Sequence, residues 1–550
     1  MNIRKTYALP LMAAAALAAG CSDLDLMPEG NIITEDTKKE VGEIMPDRAA
    51  AADLTGLYNK MASPCPVLGL SADYPDDGGY SITCVLFDMN AADITGPDAG
   101  YNWLSTSSEW ADRNPNYRNP ALRWRLFYQQ IKLANDIIRG ISRDTESDDL
   151  RYTLGQALAV RAFDYLNLAP YYQFNYATSA DKLCVPYIDE TSEGNAFARN
   201  TVREVYDHIL ADLTDAIALL DGYKRSTKAN VDVCVAYGLR ARAYLAMEKW
   251  AEAAADATAA LEAAQTSPGC DGQPYSMAEV SRPTFCTLED HNWMWGIKMT
   301  DAMVAGSYSS WPSWLGSFSK NAYSTAVGQY AVINTMLYDK IPDTDIRKQW
   351  WVDENLHSDN LANITWDGLT GDDIALANVA DVKMPYLPYT NVKFGFQEGS
   401  DLTKNGGDWA IMRVEEMILI QAEAYAKAGD EAKGRQILTD FVTNYRNPAY
   451  TQVCRTFADE VWMQRRVELW GEGFAMSDVM RLGKNMVRFN ESHGSNYPAN
   501  FQFNVEYGDP YMLLRIPQSE VTSNKDIIQN TGGVQPIAGD GAGLTDGVTD

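Results

Sequence analysis

Two aromatic clusters hold the side chains best suited to chemistry on a ligand. Tyr101-Asn102-Trp103, with Trp110, stands in a stretch rich in Gly, Ser and Asn, and Trp311-Pro312-Ser313-Trp314, with Tyr308 and Tyr323, stands in a second irregular stretch. Aromatic rings cover the apolar C–H faces of a sugar while Asn, Asp and Arg bond its hydroxyls, so these residues are the candidate ligand contacts. The competing reading is that such rings are buried to stabilise a loop-rich domain. Trp293 and Trp295 stand on an extended run, and one of the two is expected to face inward. Asp73-Tyr74-Pro75-Asp76-Asp77-Gly78-Gly79 offers oxygen ligands of the kind calcium takes. It lacks the spacing of an EF-hand loop, so Asp73, Asp76 and Asp77 read as a solvated turn before they read as a calcium site.

Other charged residues point to structure. Arg161, Arg413, Glu415, Arg465, Arg466 and Glu468 fall at helical spacing among apolar residues. Charges so placed are tolerated inside a fold only when paired, and an ion-pair network locking the C-terminal part onto the rest is expected. No CxxC or HExxH spacing occurs, and the 4 histidines, among them His208 on a helical segment, make a zinc site unexpected. No cofactor is expected beyond a possible structural calcium ion. A Gly-x-Ser-x-Gly elbow and a phosphate loop are both absent. A glycoside hydrolase would need two carboxylates in a cleft, and 74 acidic residues supply pairs by chance alone. Of the 8 cysteines, Cys65 with Cys84 and Cys270 with Cys286 are close enough in sequence to staple local loops.

The segments that must position these residues begin after a leader. Arg4 and Lys5 precede an apolar run over 7–19 broken by Pro10, too short for the roughly 20 residues of a membrane span. Leu17-Ala18-Ala19-Gly20-Cys21 resembles the lipobox of bacterial lipoproteins, whose cysteine takes a diacylglyceryl group and becomes the new N-terminus. The expected organisation is a signal peptide over 1–20, a lipidated tether over 21–45 and a single domain over 46–550. The net charge of −28, and −30 once Arg4 and Lys5 are removed, repels nucleic acid and anionic lipid. The membrane is therefore reached through the lipid alone.

Within the domain the fold class is mainly α, a tetratricopeptide-like helical-repeat scaffold. Ala241, Tyr244, Trp250, Ala253, Ala257 and Ala260 follow the offsets of that repeat, with its turn at Glu248-Lys249. Ala422, Tyr425, Gly429, Gly434, Leu438 and Phe441 repeat the pattern, turning at Gly429-Asp430. Less regular helices are read at 122–141, 150–168 and 202–220, the last opened by a capping box from Thr201 to Glu204. Helix pairs thus fall within about 46–264 and 410–446. A loop-rich insertion over 265–408 interrupts them, and a C-terminal segment over 447–550 carries one strong helix at 457–470. Loops on a rigid scaffold are where recognition residues gather, which makes the insertion the binding half.

Set in order, several short motifs resemble the SusD/RagB family of outer-membrane nutrient-binding lipoproteins of Bacteroidetes. They are Cys21-Ser22-Asp23-Leu24-Asp25 with Pro28, Arg161-Ala162-Phe163-Asp164-Tyr165-Leu166, Val185-Pro186-Tyr187, and Arg413-Val414-Glu415-Glu416 with Gln421-Ala422-Glu423-Ala424. Gln464-Arg465-Arg466-Val467-Glu468-Leu469, Glu472-Gly473-Phe474, Arg481-Leu482-Gly483, Ile516-Pro517, Glu520, Asn524 and Gln529-Asn530 follow. Gln464 and Phe474 depart from the family's commoner residues. The resemblance implies a non-catalytic lipoprotein that binds oligosaccharide or polysaccharide and delivers it to a SusC-like TonB-dependent transporter. It places the ligand on the loop-rich side, near Trp103, and the repeats against the transporter. The acidic residues after Cys21 are similar to those that mark export to the cell exterior. Capture of peptides by the same architecture is the alternative; a surface hydrolase and a pure repeat adaptor are weaker ones.

Overall fold

The computed structural model describes residues 45–63, 76–98, 105–300, 311–318, 323–379, 383–396 and 406–550. Met1–Ala50 forms one compact unit, described from residue 45 onward, and Ala51–Asp550 forms the other. Cys21 lies outside the described residues. Among those described, no helix is long and apolar enough to cross a membrane.

The larger unit is mainly helical. Its longer helices are α1 (Gly79–Asn90), α2 (Arg118–Gly140), α3 (Asp148–Tyr172), α4 (Val202–Leu219), α5 (Val233–Ala246) and α6 (Trp250–Ala264). After the insertion come α7 (Val414–Lys427), α8 (Glu431–Tyr445), α9 (Phe457–Glu468) and α10 (Ala475–Leu482). From α2 to α8 each helix packs on the next, and α6 packs directly on α7 across the insertion between them. The stack is therefore continuous in space although residues 265–408 interrupt it in sequence.

Local chemistry explains the breaks. Thr201 Oγ1 accepts the Glu204 amide at 3.2 Å while the Glu204 carboxylate accepts the Thr201 amide at 2.7 Å, closing the first turn of α4 from both sides. Glu248, at φ 58°, turns the chain between α5 and α6. Gly434 is small because α8 crosses α7 closely there: a Cβ would lie 2.5 Å from the Ala422 carbonyl oxygen.

Four short strands tie the insertion down: β1 (Ile94–Thr95), β2 (Trp293–Ile297), β3 (Val332–Ile333) and β4 (Trp409–Arg413). Antiparallel pairing of β2 with β4 closes the neck of the insertion, and β4 runs straight into α7. The ladder slips twice, on either side of Trp295, and Trp293 and Trp295 are both fully buried. The expectation that one ring alone faces inward fails because residues two apart on a strand share a face, and both faces of this strand are covered. The Trp295 indole donates to the Ala229 carbonyl at 3.1 Å.

Buried charges fasten the C-terminal segment, in separate clusters. Arg446 and Arg413 meet Glu468 at 2.8 and 3.4 Å, Arg347 meets it at 3.3 Å, and Arg413 also pairs with Glu415 at 2.9 Å and Glu472 at 2.8 Å. Burial alone would raise the Glu468 carboxyl; Arg446, then Arg413 and Arg347, outweigh it and hold it far below the usual range. Arg465 pairs with Asp478 at 2.8 Å, and Arg466 with Asp93 at 2.6 Å and Asp546 at 2.9 Å. Arg161 belongs to none of these. It joins Asp212 at 2.7 Å and Glu190 at 2.6 Å, inside the first helices of the stack.

Cys270 and Cys286 are both buried, and no disulfide joins them. They occupy different surroundings: burial pushes both thiols up, with Lys228 and Arg225 facing Cys270 and the Asp290 and Asp408 carboxylates facing Cys286. Cys84 is a free thiol under Gly473, and Cys65 lies outside the described residues.

Candidate ligand-binding site

β1 and β3 pair antiparallel, Ile94 opposite Ile333 and Thr95 opposite Val332. Each strand is only two residues long, and its partner lies more than two hundred positions away in sequence. At their end a recess of about 430 Å³, open solvent included, is lined by Thr95, Gly96, Pro97, Ser105, Trp314 and Tyr330, with Gln329 and Phe501 beside them. Gly96-Pro97 and Ser105 flank in sequence the stretch that holds Tyr101, Asn102 and Trp103, while Trp314 belongs to the second aromatic cluster. The flanks of both clusters thus meet on one concave surface.

The walls differ in character. Tyr330 is held by its hydroxyl, which donates to the Met384 carbonyl at 2.6 Å, and its ring packs on Tyr386 at 4.8 Å. Burial pushes that phenol well up, so it stays a neutral donor. Thr95 is 2 % exposed and its hydroxyl has no hydrogen-bond partner. A buried hydroxyl without a partner costs free energy, and an oxygen placed in the recess would satisfy it. Ring and proline faces beside a free hydroxyl and the Gln329 amide make the mixed apolar and polar surface that a sugar ring requires.

The other candidates divide. Tyr101, Asn102, Trp103, Tyr308 and Asp73 lie outside the described residues, and of Tyr323 only the backbone, in the short helix Tyr323–Val327, is described. Trp110 is not a ligand platform: it is fully buried, donates to the Asn90 carbonyl at 2.7 Å and carries Arg113 over its ring at 4.2 Å. Trp311 is likewise buried, donating to the Gly407 carbonyl at 2.8 Å and packed between Phe394 and Trp409. Burial claims both because each indole N–H finds a backbone acceptor inside the fold. Asp76 and Asp77 are buried rather than solvated, and both face Arg118, at 2.8 and 3.4 Å. Burial, partly offset by Arg118, pushes the Asp76 carboxyl up to about 6. Among the described residues no group of His, Cys, Asp and Glu is arranged to hold a metal ion. Thr95, Gln329 and Tyr330 escaped the sequence reading, since none stands in an aromatic-rich run.

The stacked helices define a helical-repeat scaffold with the recess mounted beside it. Residues 82–245 match a SusD-like family described as starch-binding and associating with the outer membrane, and residues 269–532 match the SusD family itself. The chain belongs to the SusD/RagB family, whose members are outer-membrane-associated nutrient-binding proteins without catalytic activity. Its fold is shared with a SusD-like carbohydrate binding protein from Bacteroides vulgatus (24 % identity over 88 % of this chain and 97 % of that one, TM-score 0.68). A SusD superfamily protein from Bacteroides thetaiotaomicron is similar at 23 % identity, over 88 % and 99 % of the two chains, with TM-score 0.68. A laminarin binding SusD-like protein is similar at 19 % identity, over 88 % and 99 %, with TM-score 0.61. No curated protein matches the chain.

Proposed function

We propose that this protein is a cell-surface lipoprotein, anchored through Cys21, that binds oligosaccharide in the recess between β1, β3 and Trp314 and delivers it to a SusC-like TonB-dependent transporter. The observation that carries the reading is the meeting of Trp314, Tyr330 and the unpartnered Thr95 hydroxyl on one concave surface. Family membership supports it, as does the binding of carbohydrate and of laminarin by two proteins with the same fold. The acidic residues Asp23 and Asp25 after Cys21 support the outer face of the membrane, and the continuous helical stack leaves a broad surface for a transporter.

Electrophoresis of the purified protein through gels containing a panel of polysaccharides tests the site. At least one polymer should retard the wild-type chain, and Thr95→Val with Gln329→Ala should relieve the retardation without lowering the unfolding midpoint. Retardation that survives the double substitution would move the ligand elsewhere.

A further inference from the structure

A second cavity lies where α3, α5 and α7 of the stack meet α9 and α10, about 940 Å³ with open solvent included. It shares no lining residue with the recess beside Trp314. Its apolar walls include Tyr171, Leu245, Ile420, Phe474 and Met480. Two guanidinium groups, Arg242 at 5.2 Å and Arg465 at 5.9 Å from the ring centroid, flank Phe474.

The two arginines differ in what they have left to give. Arg242 is matched by Glu416, which accepts from Nε at 2.7 Å and from Nη2 at 2.6 Å. Arg465 gives Nε and Nη2 to Asp478, at 2.8 and 3.2 Å, but Nη1 is buried and has no partner. Asp478 is itself shared with Arg481 at 2.7 Å, and Arg481 continues to Glu423 at 2.7 Å, which also holds Lys427 at 3.1 Å. Arg465 and Arg481 are matched in charge by Asp478 and Glu423, while Lys427, at the end of this chain of contacts, is partly exposed to solvent. Asp88 caps the Gly473–Ala475 turn by accepting both amides, and burial pushes its carboxyl up to about 7.

We propose that this cavity binds a small amphipathic carboxylate, with the anionic group received by Arg465 Nη1 and the apolar body seated against Phe474 and its neighbours. A buried N–H without an acceptor is costly, and a carboxylate oxygen satisfies it with a charge-assisted bond. The apolar walls then demand a hydrocarbon or aromatic body and give little to a hydroxyl-rich sugar. The site is independent of the proposed glycan recess, so each can fail without the other.

Calorimetric titration of the full chain with 4-phenylbutyrate and with 4-phenylbutan-1-ol tests the proposal, because the two probes differ only in the anionic end. The carboxylate should bind about ten- to a hundredfold more tightly than the alcohol, the span a charge-assisted hydrogen bond supplies. Ala246→Trp, which places an indole in the cavity from α5, and Ser477→Phe, which fills it from α10, should each weaken the carboxylate at least tenfold. Equal affinity for the two probes, no heat from either at millimolar concentration, or unchanged binding in a filled variant that keeps its unfolding midpoint would overturn it. The comparison of probes on the unaltered protein decides even where a filled variant fails to fold.

Discussion

Asp164 lies at the centre of α3, fully buried, and neither carboxylate oxygen has a hydrogen-bond partner. The nearest cation in sequence, Arg161, is already engaged by Asp212, Glu190 and Asn135. Burial therefore pushes the Asp164 carboxyl well above its ordinary range, and in the folded protein it keeps its proton. In the unfolded chain the same group ionises above about pH 4. The folded state thus binds one more proton than the unfolded state, and stability falls as pH rises until the folded group itself ionises. Each pH unit in that window removes about 1.4 kcal/mol. Asp164→Asn keeps the shape and removes the titration. Its stability relative to wild type should rise between pH 5 and pH 7, by at most about 1.4 kcal/mol per pH unit, above a pH-independent offset for burying an amide. Urea unfolding of both proteins at the two pH values, compared at a common m-value, measures the gap. A gap that does not change with pH, or that narrows, would refute the reasoning.

Three further expectations follow from the packing. Glu468→Gln leaves Arg446, Arg413 and Arg347 without their shared carboxylate and should cost about 3–5 kcal/mol, read by urea unfolding. Gly473 sits at φ 93° with Cys84 Cβ 2.7 Å from where a Cβ would stand, so Gly473→Ala should lower the thermal midpoint, by more than the roughly 1 kcal/mol that left-handed backbone costs alone. Thr201→Ala opens the capping box of α4 and should cost about 1 kcal/mol, with Thr201→Asn restoring most of it.

The helices were legible because their signals are local. The small and aromatic offsets from Ala241 to Ala260 and the Thr201–Glu204 box act within one or two turns, and α4, α5 and α6 appear where those residues place them. The direct packing of α6 on α7 across residues 265–408 was not legible, since nothing local marks which helices meet after a long insertion. The site divides in the same way. Aromatic enrichment drew attention to both clusters, yet a Trp that stabilises a loop and a Trp that lines a recess are the same letter. Trp110, Trp311 and Trp314 are all buried, and only tertiary geometry shows that Trp314 also borders the recess. Thr95 enters the site through a pairing with Val332 that two-residue strands cannot announce.

The central claim is that oligosaccharide binds beside Trp314. Calorimetric titration of wild type and Trp314→Ala with the oligosaccharide selected by the polysaccharide screen addresses it most directly. Loss of the ring should weaken binding by about tenfold or more, and because Trp314 is itself only 4 % exposed the unfolding midpoint should also fall, so affinity is compared well below the transition. Unchanged affinity in a folded Trp314→Ala protein would contradict the account.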